Sequence, residues 1–355
     1  MFSAVRLTLA RQRRQLTKKE LAHRSGLSIP TLTRLDAGKH EPDRETVSAL
    51  AQALAFPVEF FYMDDGEVLA PKAVSFRSLS TLSARQRDAA LAAGSLAFEI
   101  HDWIADRFEL PQPQILNLRG ENPVAAAETL RSHWGLGAQP IEYMVKLLEA
   151  KGVRVFALAE QHKNVDAFSC WHNGVPFVFL NTYKSAERSR FDAAHEVAHL
   201  CLHQHGEASG DRNAEREADS FASAFLAPRS DVIAHLPRQP SLAQLIGAKK
   251  RWGISVAALC RTAHDAQLIS DWHYESLSKQ LSFLGYRTNE PEGMPRERSV
   301  LWRMVFEALW KDGLTRDSIA KELHLPPEEV EALVGELVVE SVPQAPRERA
   351  VLRVV

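Results

Sequence analysis

The sequence predicts an α+β protein in which helices outnumber strands. Two short runs rich in β-branched and aromatic residues, at 153–159 and 175–181, are bounded by Gly and Asn-Gly signals and are typical of strands. Helical patterning dominates the rest, at 2–62, 81–109, 123–152, 189–204, 212–226, 240–290 and 299–338. With 45% hydrophobic and 25% charged residues, the 355-residue chain has the composition of a folded globular protein.

Changes in composition suggest four regions. Residues 63–80 contain Gly, Pro and Ser without a sustained period, as a linker does. The Ala-rich helix expected at 81–109 stops before Pro111 and Pro113. We therefore expect a five-helix N-terminal domain, a linker with a helical segment, a domain containing the small sheet and a helical C-terminal region, at 1–62, 63–122, 123–235 and 236–355.

Cysteine usage and hydropathy favour a cytoplasmic protein. The three cysteines (Cys170, Cys201 and Cys260) are widely spaced and form no CxxC pair, which is typical of a reducing compartment. No apolar run reaches the length of a membrane span, and the N-terminal basic cluster follows the apolar stretch instead of preceding it. We expect no membrane partner.

Residues 16–39 show a two-helix pattern joined by a tight turn. Thr17 can cap the first helix, with Glu20 placed to complete a capping box. Gly26 lies where the chain must turn sharply, and Ser28 can cap the second helix. On that second helix Leu32 and Leu35 face inward, while the outward positions would meet a DNA major groove, namely Thr31, Thr33 and Arg34.

The charge distribution supports a nucleic-acid interface. Residues 1–40 contain nine basic and two acidic side chains, an excess of seven positive charges, although the whole chain has a net charge of -2. The alternative is a small helical packing domain with a solvated basic face. DNA-binding domains of this type usually read paired half-sites, so the predicted partners are a double-stranded DNA operator and a second copy of the chain.

Residues 4–62 resemble the helix-turn-helix of phage-repressor-like regulators, the XRE family. Where that family usually has Glu near the end of the recognition helix, this chain has Asp36. The resemblance implies phosphate contacts by Lys18, Thr33 and Lys39, and base contacts by Ser28, Thr31 and Arg34. Two later segments, 249–266 and 314–333, also have a helix-turn-helix pattern. We interpret both as packing units, because the second is acidic at Glu328, Glu329 and Glu331 and would repel phosphate.

The segment 191–203 contains the H-E-x-x-H arrangement as His195, Glu196 and His199. Histidines four residues apart lie on the same helix face, so both imidazoles can reach one zinc ion. Glu196 can then accept a proton from a water at the open position of that ion. Apolar neighbours predict that this helix is buried, and buried polar groups need partners, which a metal supplies. The alternative is a pair of core histidines satisfied by hydrogen bonds.

A third ligand is expected from the segment 214–228. Glu215 and Asp219 share a helix face, which suits a carboxylate ligand and a second carboxylate that orients a histidine. Glu217 points away from Glu215 and is the alternative ligand. His203 and His205 compete less well, because His203 lies about 12 Å along the helix from His195.

These segments are similar to the ImmA/IrrE family of metallopeptidases, on the strand PFVFLN and the segments SRFDAAHEVAHLCLH and EREADSFASAFLAP. The resemblance implies a zincin-like core with a gluzincin-like site, in which zinc is bound by His195, His199 and Glu215 and Glu196 is the base. It also implies cleavage of a phage- or stress-related repressor. Because peptidase and DNA-binding domain are fused here, the substrate could be a separate repressor, another partner or this chain's own linker.

Three functions remain open at this point. The first is a DNA-binding zinc endopeptidase in transcriptional regulation; the second is a regulator with a non-catalytic metal sensor; the third is a toxin or defence protease that regulates its own expression. We expect the strand at 175–181 to be an edge strand that pairs with substrate; the alternative, a core strand, is compatible with that role. Tyr183, His172 and Arg190 are candidates to stabilise the oxyanion.

Overall fold

A computed structural model describes residues 1–74, 82–158, 167–203 and 212–338. Within these ranges the protein is mostly helical with one small sheet, which confirms the predicted fold class. Helices α1–α16 are Ala4–Arg13, Lys18–Ser25, Ile29–Asp36, Arg44–Leu54, Ala84–Ala105, Pro123–His133, Met144–Ala150, Ala186–Leu202, Arg212–Leu226, Arg229–His235, Leu242–Ala248, Val256–Asp265, Asp271–Phe283, Val300–Lys311, Arg316–Glu322 and Pro327–Val334. Strands β1–β3 are Arg154–Ala157, Ala167–His172 and Val175–Leu180.

The described chain forms two compact units. The first combines residues 1–69, 84–109 and 298–338, and the second contains 70–74, 82–83 and the described residues of 110–297. The segments of the first unit are thus far apart in sequence. The four consecutive domains predicted from composition divide the chain differently from these two compact units. That domain division stays a prediction.

The N-terminal part of the first unit follows the predicted helical pattern closely. Side-chain oxygens cap all four helices, and the capping box of Thr17 and Glu20 is present. Hydrogen bonds from Thr17 lower the pKa of Glu20 to about 2. Gly26 has the left-handed φ of 71° that the turn between α2 and α3 requires. The fifth helix is a short 3-10 helix at Val58–Tyr62 instead of an α-helix.

Helices from later in the chain complete the first unit. Arg6 on α1 donates to both carboxylate oxygens of Glu99 on α5, at 2.7 and 2.9 Å. Arg13 and Arg14 bind the two carboxylate oxygens of Glu329 on α16, at 2.6 and 2.5 Å. Glu329 is only 1% exposed. The acidic C-terminal segment therefore packs against the N-terminal helices, as the packing interpretation predicts.

A three-stranded sheet in the order β1-β3-β2 forms the centre of the second unit. Strand β3 pairs in parallel with β1 and antiparallel with β2, so it is the central strand. The expectation that 175–181 is an edge strand is therefore wrong. Its side chains are buried on both faces of the sheet, which explains the continuous apolar run in its sequence.

Strand β2, which the sequence patterns did not predict, pairs with β3 across a turn of two residues. Its sequence AFSCWH contains a serine and a cysteine, and 159–166 before it lie outside the described residues. The turn contains Asn173 and Gly174, both with positive φ, as a two-residue hairpin requires. The hairpin could have been recognised from this Asn-Gly pair.

Helix α8 crosses the sheet and is buried along most of its length. Ala193, Ala194, Val197 and Ala198 have no exposed surface, and these small residues let neighbouring elements approach closely. Two buried ion pairs anchor its first turns to the helical region that follows. Lys249 lies 3.0 Å from Glu187, and Arg190 pairs with Glu297.

The turn between α7 and β1 provides a test of the second unit's packing. A Cβ added at Gly152 would lie 2.3 Å from the Gln112 carbonyl oxygen, whereas one at Gly174 would meet nothing within 4 Å. Both glycines have positive φ. Gly174→Ala should cost roughly 1–2 kcal/mol of unfolding free energy from backbone strain. Gly152→Ala should cost about 1–3 kcal/mol more from the clash. Calorimetric unfolding of both full-length variants measures the difference, and equal costs would contradict this packing.

Candidate metal centre

Two histidines and a glutamate converge where α8 meets α9. The Nε2 atoms of His195 and His199 lie 3.1 Å apart. Glu215 reaches them from α9, with one carboxylate oxygen 3.3 Å from His195 Nε2 and the other 3.7 Å from His199 Nε2. One ligand atom from each residue lies within 4.8 Å of the others, so the three can hold a metal ion together.

The outer nitrogens of both imidazoles bind other side chains. His195 Nδ1 lies 3.0 Å from Asp219 Oδ1, and His199 Nδ1 lies 2.9 Å from His203 Nδ1. His203 Nε2 in turn lies 3.0 Å from Glu217 Oε2.

These contacts favour one assignment of the ring protons when the histidines are neutral. A carboxylate only accepts hydrogen bonds, so neutral His203 donates to Glu217 from Nε2 and must accept at Nδ1. His199 therefore donates from Nδ1, and the lone pair of its Nε2 points toward Glu215. Donation from His195 Nδ1 to Asp219 likewise leaves the Nε2 lone pair of neutral His195 at the centre.

Two such lone pairs beside a carboxylate favour a positive charge between them. Burial disfavours the charged form of His195, but hydrogen bonds with Asp219 and Glu215 outweigh burial and raise its pKa to about 10. A divalent ion supplies that charge equally well. Two imidazole nitrogens and one carboxylate are also a ligand set that zinc accepts at catalytic sites. The residues present therefore fit a zinc ion.

The structure separates the candidates for the third ligand. Glu215 lies with the two histidines, and its side chain is 10% exposed. Glu217 instead binds His203 and the side chain of Asn213. His203 lies outside the three-residue group. His205 lies outside the described residues.

Glu196, between the two histidines, is 1% exposed and receives a hydrogen bond from strand β2. The Ser169 hydroxyl donates to Glu196 Oε2 at 2.7 Å. Ser169 was not a predicted site residue, because the strand that carries it was not predicted. The position of Ser169 opposite the H-E-x-x-H helix depends on the pairing of β2 with β3, which local sequence patterns do not show.

The three candidates for oxyanion stabilisation have different environments. Arg190 is 3% exposed and binds Glu297 and the Ile141 carbonyl oxygen, so it anchors α8 and is not available to a substrate. His172 is 3% exposed at the end of β2, and Tyr183 is 48% exposed.

The cysteines do not compete for a metal as thiolates. Cys201 lies on α8 itself, and burial raises its pKa to about 12, while burial raises the pKa of Cys260 to about 11. Thiolates are the form of cysteine that binds zinc, so these two side chains are poor ligands. All three cysteines are buried as free thiols.

The predicted DNA contacts lie on α2, α3 and the turn after α3. Of these residues, Ser28, Thr33, Arg34 and Lys39 are exposed, while Lys18 and Thr31 are partly buried. Lys18 forms an ion pair with Asp36 at 2.9 Å. Ser28 caps α3 through the Thr31 amide, and the Thr33 hydroxyl donates to the Ile29 carbonyl oxygen.

The positive charge of the N-terminal segment is less concentrated than composition suggests. Arg6 and Arg13 on α1, and Arg14 directly after it, bind carboxylates of the same unit. The exposed basic residues on and beside α3, Arg34 and Lys39, remain as the positive side of the predicted DNA interface.

Comparison with family models identifies both parts of the chain. Residues 4–59 match the helix-turn-helix domain, and residues 148–264 match a peptidase family described as the IrrE N-terminal-like domain. The chain joins a helix-turn-helix domain to an IrrE N-terminal-like domain. Both predicted resemblances are thus confirmed. The second match includes the whole sheet and the three-residue group on α8 and α9.

The IrrE N-terminal-like match indicates a metallopeptidase-type enzyme, and the helix-turn-helix match indicates DNA binding. No curated protein is similar enough to match the chain. Among the described residues, no helix is both long and apolar enough to cross a bilayer.

Two glutamates on α9 provide a matched test of the metal centre. Glu217→Gln changes a side chain that binds His203 and Asn213 and lies outside the three-residue group, so zinc affinity should fall by about 10–100-fold at most. Glu215→Gln replaces a carboxylate that faces both Nε2 atoms, and should lower zinc affinity more. Competition with a chromophoric chelator measures both dissociation constants. An equal or larger loss in Glu217→Gln would contradict the assignment of Glu215.

Proposed function

We propose that this protein is a DNA-binding, zinc-dependent endopeptidase of transcriptional regulation. Its substrate would be a repressor-like protein or another partner in a phage, mobile-element or stress response. The observation that carries the proposal is the convergence of His195, His199 and Glu215 on one point, beside the buried carboxylate of Glu196.

His195, His199 and Glu215 would hold the metal, and Asp219 would orient His195. A zinc ion bound there supplies Lewis-acid chemistry, which polarises a peptide carbonyl and makes a bound water more acidic. Glu196 would accept the proton of the attacking water and pass it to the leaving amine. The Ser169 hydroxyl holds this carboxylate in place, so little reorganisation is needed when the proton moves.

The number of protein ligands supports a catalytic metal ion over a structural or sensory one. Within the described ranges, the group that can hold an ion has three protein ligands. Structural zinc sites usually have four, whereas catalytic sites keep one position for water or substrate. A toxin or defence protease would use the same chemistry, and growth arrest that depends on Glu196 would favour that function.

The N-terminal domain would direct the peptidase to an operator. Arg34, on the exposed side of α3, would reach base edges, together with Ser28 and Thr31. Lys39, Lys18 and Thr33 would contact phosphates. In the free protein Lys18 binds Asp36, and a phosphate would replace this carboxylate as its partner.

Replacing Glu196 tests the proposed base. Glu196→Gln keeps the shape of the side chain and an oxygen that can accept from Ser169, but it cannot take up a proton. Cleavage of a peptide library, read by mass spectrometry, should be abolished. Zinc content and DNA affinity should be unchanged. The matched control Glu142→Gln, at an exposed position, should cleave like the wild type. Cleavage by zinc-loaded Glu196→Gln at the wild-type rate would refute the role of Glu196.

Replacing Arg34 and Lys39 tests the DNA interface. The double variant Arg34→Ala with Lys39→Ala should bind selected duplex DNA at least about 10-fold more weakly, because a base contact is worth about 1–3 kcal/mol. Its affinity should also depend less steeply on salt. Arg119→Ala with Lys146→Ala removes the same charge from exposed positions of the second unit and should bind normally. Equal affinities for the two double variants at one salt concentration would contradict the assignment.

A further inference from the structure

Helix α13 presents two aromatic side chains to solvent. Trp272 is 77% exposed and Phe283 is 91% exposed. They are eleven residues apart, so helical geometry places them on the same face, about 16 Å apart along the axis. Large aromatic rings at both ends of one exposed helix face are typical of an interaction surface.

Packing on the opposite face determines this orientation. Leu277 and Leu281 are 2% and 1% exposed. The ring of Tyr274 stacks on His264 with centroids 4.5 Å apart, and His273 lies 2.9 Å from the Pro240 carbonyl oxygen. The helix is therefore held with its aromatic face outward. This face lies beyond residues 148–264 of the peptidase match, so the peptidase fold does not account for it.

Charges between the two rings are arranged for self-association. Glu275 and Lys279 are both exposed and lie on the same flank of the aromatic face. When two copies of a helix pack antiparallel about a two-fold axis, residues on the same flank meet across the interface. Glu275 then opposes Lys279 of the second copy, and the pair occurs twice.

We propose that two copies of this chain associate through α13 in antiparallel orientation. Trp272 of each copy packs against Phe283 of the other, and the Glu275–Lys279 pairs flank these contacts. A parallel pairing would place the Glu275–Lys279 flanks of the two copies on opposite sides of the interface, so neither charge pair would form. The contact is isologous, so it closes as a dimer and forms no filament. The dimer also carries two helix-turn-helix domains, the number that paired DNA half-sites need.

One helix face is smaller than a standard interface of about 1,600 Å², so the dimer should be concentration-dependent. Sedimentation equilibrium of the full-length protein, from about 1 to 200 μM, should show a monomer–dimer transition. Trp272→Ser should shift the dissociation constant at least about 10-fold upward. The control Ile233→Ser, at a 47% exposed residue of α10, should dimerise like the wild type.

Charge reversal gives the sharper test. Lys279→Glu and Glu275→Lys each create two like-charged contacts, so each variant alone should be monomeric in this range. Mixed in equal amounts, they restore both opposite-charge contacts and should form a heterodimer. Circular dichroism establishes that each variant is folded.

The relative orientation of the helices is tested by cysteine pairing. Positions 275 and 279 oppose each other only in the antiparallel arrangement. Glu275→Cys mixed with Lys279→Cys should therefore give a mixed disulfide in preference to either homodisulfide. A wild-type monomer at every concentration would overturn the proposal. A dimer that persists in Trp272→Ser and in both charge variants would overturn it too, because another surface would then hold the copies together.

Discussion

The structure of the peptidase part depends on one electrostatic constraint. Two imidazole nitrogens lie 3.1 Å apart beside a carboxylate, and their outer nitrogens are bound to Asp219 and His203. With the rings held in this way, two lone pairs and a negative charge face one small volume. Only a cation at that point makes the arrangement favourable, whether a proton or a metal ion. Helix α8 is buried, so its polar side chains need partners, and residues on α9 and β2 provide them.

The same principle explains why the site is assembled from three elements. Helical spacing alone places His195 and His199 on one face. Carboxylates on α9 then orient the two rings, directly for His195 and through His203 for His199. The Ser169 hydroxyl on β2 orients the carboxylate of Glu196. Ion pairs in the first turns of α8 connect this helix to Lys249 and Glu297, which follow later in the same unit. A second layer of contacts of this kind usually decides how well a metal site performs.

Much of this arrangement is predictable from local sequence. The caps at Thr17 and Ser28, the turn at Gly26 and the one-turn histidine spacing depend on residues close together in the chain, and each predicted feature is present. Strand β2 and Ser169 were not predicted, because their role depends on pairing with β3 and contact with α8. The neutralisation of Arg13 and Arg14 by Glu329 was missed for the same reason, since more than 300 residues separate the partners.

X-ray absorption at the zinc edge of the zinc-loaded, full-length protein tests most directly which side chains bind the metal. A zinc ion held by His195, His199 and Glu215 should be surrounded by nitrogen and oxygen only, at about 2.0–2.1 Å, and should show the longer-range scattering of two imidazole rings. That signature should fall to one imidazole in His199→Ala. A sulfur scatterer at about 2.3 Å, or a spectrum without imidazole, would show that other side chains bind the zinc ion.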